Sequence, residues 1–216
     1  MTLDLTTVTK YDLPYRNLVL TGFLGVGKST VARTIAKRLG TEMFDASEDI
    51  EVRELMSIAK IRELYGESRL KALEHEACRR AALMRRAVLV VPGAALLESR
   101  NYELLTQTGQ VVVLTCEIGE ALRRLHISGA QRFRDVKIRE RMLARLRREY
   151  AVVNDIRLLQ LNTTHMTVEE ESELLMKLWF TGEPEGTQFR YGPPAPLRPP
   201  KKQTLGLSPG QPSLET

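Results

Sequence analysis

The chain has 216 residues, 43% of them apolar and 27% charged, with 32 Lys and Arg against 27 Asp and Glu for a formal net charge of +5. This supports one packed domain and excludes wholesale disorder; Cys78 and Cys116 are too few and too far apart for a disulfide framework or a metal knuckle. The longest apolar run, Ala87 to Leu97, is broken by Pro92 and falls short of the ~20 residues of a membrane span, and the charged N-terminus has no apolar signal segment, so a cytoplasmic protein with two buried thiols is expected.

In chain order, residues 1–16 read as a loose lead-in. A strand is predicted at Leu18–Thr21, a helix at Lys28–Leu39, a weaker strand at Glu42–Phe44 and a long helical pattern over Ser57–Arg85. Strands follow at Ala87–Val91 and Val111–Cys116, then helices at Glu117–Leu125 and Lys137–Tyr150, a strand at Ile156–Leu161 and a helix at Thr167–Trp179. Short continuous apolar strands separated by helices imply an α/β fold: a parallel sheet of about five strands with helices on both faces. Ligands in such sheets sit at the carboxyl ends of the strands. Eight of the ten prolines lie between Gly182 and Thr216, among Lys, Gln, Ser and Gly, so residues 182–216 read as a disordered tail. The folded unit is expected over 17–181, with no internal repeat.

The strongest motif is Gly22-Phe-Leu-Gly25-Val26-Gly27-Lys28-Ser29-Thr30, which fits G-x-x-x-x-G-K-[ST] between an apolar strand and a helix. Glycines let backbone N–H groups turn inward around a phosphate, and the helix N-terminus adds unsatisfied donors and a positive dipole end. Lys28 is placed to neutralise the β- and γ-phosphates, and the Ser29 hydroxyl to hold Mg²⁺. The expected ligand is therefore Mg²⁺·ATP, on Gly22, Gly25, Val26, Gly27, Lys28, Ser29 and Thr30.

Downstream segments narrow this reading. Phe44-Asp45, Ile50-Glu51, Ser57-Ile58-Ala59-Lys60-Ile61, Gly66-Glu67 and Glu74 follow the loop in order. Asn101, Leu105 and Gly109 precede Val111–Leu114, and Tyr150 precedes Asn154-Asp155-Ile156. In these residues the chain resembles the shikimate kinase family from about Asn17 to Trp179. The resemblance implies a P-loop kinase fold with an Arg-rich lid, and transfer of the ATP γ-phosphoryl group to a ring hydroxyl of shikimate.

Carried over residue by residue, the resemblance implies that Asp45 helps hold Mg²⁺, although the same residue could simply cap the next helix. It implies that Arg124 packs on adenine and that Arg132, one place from the expected position where Gln131 stands, is the lid arginine, with Lys28, Asp45 and Arg132 the catalytic set. The acceptor side departs from the family. Ser47 stands where a hydroxyl-binding Asp is expected, with Glu48 and Asp49 beside it. Lys71 replaces an arginine that grips the substrate, which exchanges a bidentate fork for a point charge. Pro92-Gly93-Ala94 replaces a triple glycine, leaving Gly93, and Arg147 falls one place from the arginine expected on the substrate carboxylate.

Arg123 to Arg148 holds ten Lys or Arg against Asp135 and Glu140, a local net of +8, so the rest of the chain sums to −3. The family's lid occupies this region. Only Phe133 and Tyr150 offer aromatic stacking there, which weighs against nucleic acid as the partner. His75, His126 and His165 form no metal or triad spacing. The expectation is a monomeric kinase acting on a small hydroxylated anion. The alternative is a nucleotide-binding sensor or interaction module of the same fold that has lost turnover, motivated by Ser47, Pro92 and Ala94.

Overall fold

Asn17–Gly22 is buried at every residue and forms β1, the inner strand from which the phosphate loop departs. The computed structural model describes residues 12–129, 136–155 and 157–191. The other strands are β2 (Met43–Asp45), β3 (Val88–Val90), β4 (Gly109–Thr115), β5 (Leu159–Asn162) and β6 (Phe189–Tyr191), in the sheet order β2-β3-β1-β4-β5-β6. Pairing is parallel from β2 to β5, with Leu18 opposite Val88 and Leu20 opposite Val112. Eight helices connect the strands among the described residues: α1 (Lys28–Leu39), α2 (Ala46–Glu54), α3 (Ile58–Leu83), α4 (Gly93–Leu96), α5 (Ser99–Thr108), α6 (Ile118–Gly129), α7 (Val136–Tyr150) and α8 (Val168–Thr181). The α/β architecture expected from the sequence is therefore present, with one strand more.

That strand crosses the expected domain boundary. Phe189, Arg190 and Tyr191 pair antiparallel with β5, Phe189 opposite Leu161 and Tyr191 opposite Leu159, inside the stretch read as tail. Two aromatic β-formers flanking one polar residue make a short edge strand, and the surrounding prolines mask that signal. Residues 192–216 lie outside the described residues. At the other end, residues 12–16 are tied in and not loose: Leu13 is 4% exposed, and Arg16 donates to Thr106 O and Gly109 O. Trp179 Nε1 donates to Arg16 O at 2.7 Å, so the tryptophan fixes α8 to the entry of β1.

The main core packs β1, β3, β4 and β5 against α1 and α8, while a smaller cluster of Ile50, Ile58, Ile61, Leu70 and Leu73 joins α2 to α3. Helix α3 changes direction at Gly66, whose φ of 77° and ψ of 176° are not helical. Both thiols are buried and free; burial pushes Cys78 up to about 12 and Cys116 up to about 11. No helix among the described residues is long and apolar enough to cross a membrane.

Candidate active site

The loop between β1 and α1 wraps a cavity of about 630 Å³. Gly27 caps α1 at φ 104°, a left-handed conformation that costs a residue with a Cβ, and sets the start of the helix against the opening. Gly25, Gly27, Lys28, Ser29 and Thr30 line that cavity. Lys28 folds back onto the loop, with Nζ donating to Gly22 O and Phe23 O, both at 2.9 Å. Its pKa is lowered by burial and by Arg145, against the raising effects of Glu149 and Asp45. A phosphate arriving here would replace weak carbonyl partners by charged ones.

Asp45 ends β2 beside the loop, and its two oxygens divide the work. Oδ1 accepts from the N–H groups of Ser47 and Glu48, capping α2, while Oδ2 accepts from Ser29 Oγ at 2.8 Å. The capping and metal-side readings of Asp45 thus use different atoms. A paired hydroxyl and carboxylate next to a phosphate loop suit Mg²⁺, which takes few protein oxygens and completes its shell with phosphate and water. Among the described residues, no cluster of three or more His, Cys, Asp and Glu side chains could hold a metal ion by itself.

Arg124, on α6, closes the far end of the cavity with Leu125, Met166 and Thr167. Its guanidinium donates to Glu120, to Val26 O at 2.9 Å and to Thr163 O at 2.8 Å, and lies 3.6 Å from Glu171. The arginine therefore ties the phosphate loop to the β5–α8 loop. Bonds from Arg123 and Arg124 hold Glu120 at about 2, whereas burial lifts Glu171 to about 7 despite Arg124. Met166 at this wall was missed in the sequence, where it reads as an ordinary apolar residue before a helix. Arg132 lies outside the described residues.

A second, much smaller cavity of about 10 Å³ adjoins the first. Ser47, Pro92 and Arg145 line both. Its remaining wall includes Arg62, Glu74, Ala94, Arg148 and Glu149. Gly93 sits just beneath: a Cβ there would meet Glu149 O at 2.6 Å and Val152 Cγ1 at 2.9 Å, so only glycine lets α4 approach the end of α7. Tyr150, closing α7, packs its ring 5.1 Å from that of Phe23 in the phosphate loop.

Two expected acceptor residues are corrected here. Lys71 is turned outward to Glu98 at 2.7 Å, and half of its side chain is exposed. Arg147 is exposed as well. On a helix, residues three or four apart share a face and residues two apart do not, so the cavity receives Arg145, Arg148 and Glu149 while Arg147 points away. The α3 guanidinium that lines this cavity belongs to Arg62, nine residues before Lys71. It donates to Glu67 at 2.7 Å, and Arg148 reaches the same carboxylate at 3.0 Å. Burial, with Glu67 adding to it, lifts Glu74 to about 7.

A phosphate loop with its lysine, oxygen donors for a cation and an arginine-walled cavity abutting the phosphate end are the site architecture of the P-loop small-molecule kinases. Within that class, the family model for shikimate kinase matches residues 24–178, and the chain belongs to the shikimate kinase family. A shikimate kinase of Geobacter metallireducens is 36% identical over 72% of this chain and 87% of its own length. One from Geobacter sulfurreducens is 44% identical over 51% of this chain, a match that spans 61% of that protein's length. The shikimate kinase of Acinetobacter baumannii, solved in complex with shikimate, is 25% identical with a TM-score of 0.57 over 78% of this chain and 93% of its own. That of Bacteroides thetaiotaomicron shares the fold at 23% identity and a TM-score of 0.65, covering 76% of this chain and 98% of its own.

Proposed function

We propose that this protein moves the γ-phosphoryl group of Mg²⁺·ATP to a hydroxyl of a small anionic metabolite in the cytoplasm, with shikimate the leading candidate. The observation that supports this reading is the wall shared by the two cavities through Ser47, Pro92 and Arg145, at which a donor phosphate and an acceptor hydroxyl would meet. Lys28 and the α1 N-terminus would bind the phosphates, and Arg145 would meet the charge that spreads over the transferring oxygens. Ser29 and Asp45 would hold Mg²⁺, which when bound supplies further charge neutralisation. Arg62 and Arg148 would grip the acceptor's anionic group.

Incubation with Mg²⁺·ATP and shikimate, following ADP release and shikimate 3-phosphate by mass, tests the proposal. ADP formation no higher than that of Lys28→Ala, with shikimate and with a panel of hydroxy acids and polyols, would sink it. A second reading, a nucleotide-binding sensor without turnover, is favoured by the small volume of the acceptor cavity and by the outward turn of Lys71. Strong thermal stabilisation by ATP with no ADP from any acceptor would select it.

A further inference from the structure

Ser47 leaves the acceptor side without the carboxylate that a hydroxyl needs, and its sequence neighbours do not replace it. Glu48 pairs with Arg33 at 3.7 Å and lines the nucleotide cavity only. Asp49 accepts from Arg53 at 2.9 Å and from Arg80, and lines neither cavity. Among the described residues, the carboxylates on the acceptor wall are Glu74 and Glu149.

Glu149 differs from Glu74 in two ways. Both are buried, but while Oε1 of Glu149 accepts from Arg145 at 2.7 Å, its Oε2 is buried with no hydrogen-bond partner. A buried carboxylate oxygen left unpaired is costly unless a ligand completes it. Glu149 is also the largest charge favouring the half-buried Lys28 ammonium, to which Glu74 makes no resolved contribution. This carboxylate therefore lines the acceptor cavity while bonded to Arg145, a residue that lines both cavities.

We infer that Glu149 is the acceptor-facing carboxylate of this chain, taking at Oε2 the hydrogen bond and then the proton of the attacking hydroxyl. The step rests on the kinase reading above. The hydroxyl O–H bond breaks as the proton passes to Oε2, and the oxygen forms a bond to the γ-phosphorus. The bond from that phosphorus to the β–γ bridging oxygen breaks with its electron pair, ADP departs, and Glu149 returns the proton to water.

Glu149→Gln keeps the shape and an oxygen for Arg145 but cannot accept the proton. On the acceptor that the parent turns over, kcat should fall about 100-fold or more. The calorimetric Kd for ATP should stay within about twofold, and adding Ser47→Asp should recover at least about tenfold by returning a carboxylate from the opposite wall. A kcat within about threefold of the parent, a fall matched by an equal loss of ATP affinity, or no rescue by Ser47→Asp would overturn the assignment. If Glu149→Gln does not fold, Glu149→Asp should still lose about tenfold in kcat at unchanged ATP affinity, and an unchanged kcat would overturn it. A parent chain that forms no ADP with any acceptor would instead fail the kinase reading, and this step with it.

Discussion

At the larger cavity, the phosphate loop runs from a strand buried in the middle of the sheet straight into a helix start, so backbone there forms part of the wall. Around the acceptor cavity the wall includes long side chains from α3 and α7, held by one another: Arg62 and Arg148 on Glu67, Arg145 on Glu149. A backbone-built site keeps its geometry as long as its glycines and its fold persist. A side-chain-built site can be rewired by moving a charge one turn along a helix or onto a neighbouring element. That contrast accounts for a matched phosphate loop beside an acceptor wall in which Lys71 has turned away and Arg62 has taken a place.

The largest effect should come from the backbone-built half. Lys28→Ala should lower phosphoryl transfer by about a thousandfold, in line with the loss of a charged donor from a transition-state cradle. Thermal stabilisation by ATP should fall with it, while the apo melting temperature moves little, because Lys28 faces loop carbonyls and not the apolar core. Retained turnover would erase the contrast between the halves.

The next effect lies in the acceptor wall and is electrostatic. Unfolded, Glu74 loses its proton near 4.5; in the fold, burial and Glu67 hold that proton until about 7. The fold keeps a proton that the unfolded chain has released across this window, so stability is full below the unfolded value and is lost as pH rises toward 7. At 1.36 kcal/mol per pH unit the loss is at most about 3 kcal/mol. Glu74→Gln should therefore be more stable than the parent at pH 8 by up to that amount and about equal at pH 4, as measured by urea titration.

Gly93→Ala should destabilise by about 2 kcal/mol, or roughly 4–8 °C in melting temperature, since the added Cβ meets the backbone oxygen of Glu149 and cannot be relieved by a rotamer. The smallest effect discriminates between two residues of one helix. Lys71→Ala should change the acceptor KM by less than about twofold, whereas Arg62→Ala should raise it about tenfold, the scale of one charge-assisted hydrogen bond. The reverse ranking, read from steady-state kinetics, would return the grip to the position expected from the family pattern.

Four of the parallel strands were legible because a strand buried on both faces needs a short, continuous apolar run, whereas β2, half-buried along Met43–Asp45, gave only a weaker signal; α1 was read at its observed bounds. Helices α2 and α5 were not, for a physical reason: α2 buries only Ala46 and Ile50, and α5 only Asn101 and Leu105, so neither shows a full apolar stripe. Asn101 is buried because its side chain donates to Ala95 O and meets His75 Nδ1, partners distant in pattern terms. The phosphate loop and Asp45 were visible as a motif and a strand end. Glu149 was not visible, because a glutamate in a basic helix reads as solvent-facing until α4 is laid against that helix. The one available signal was its spacing of four residues from Arg145.

Strand β6 has a consequence for how the molecule behaves beside copies of itself. Without it, β5 would end the sheet with a row of open N–H and C=O groups along Leu159–Asn162, a template on which a second chain could add a strand. Three residues cover that row and replace it with a rim only as long as Phe189–Tyr191, carrying a cationic arginine at its centre. Among the described residues, a three-residue rim offers fewer open groups to a neighbouring strand than the uncovered edge of β5 would.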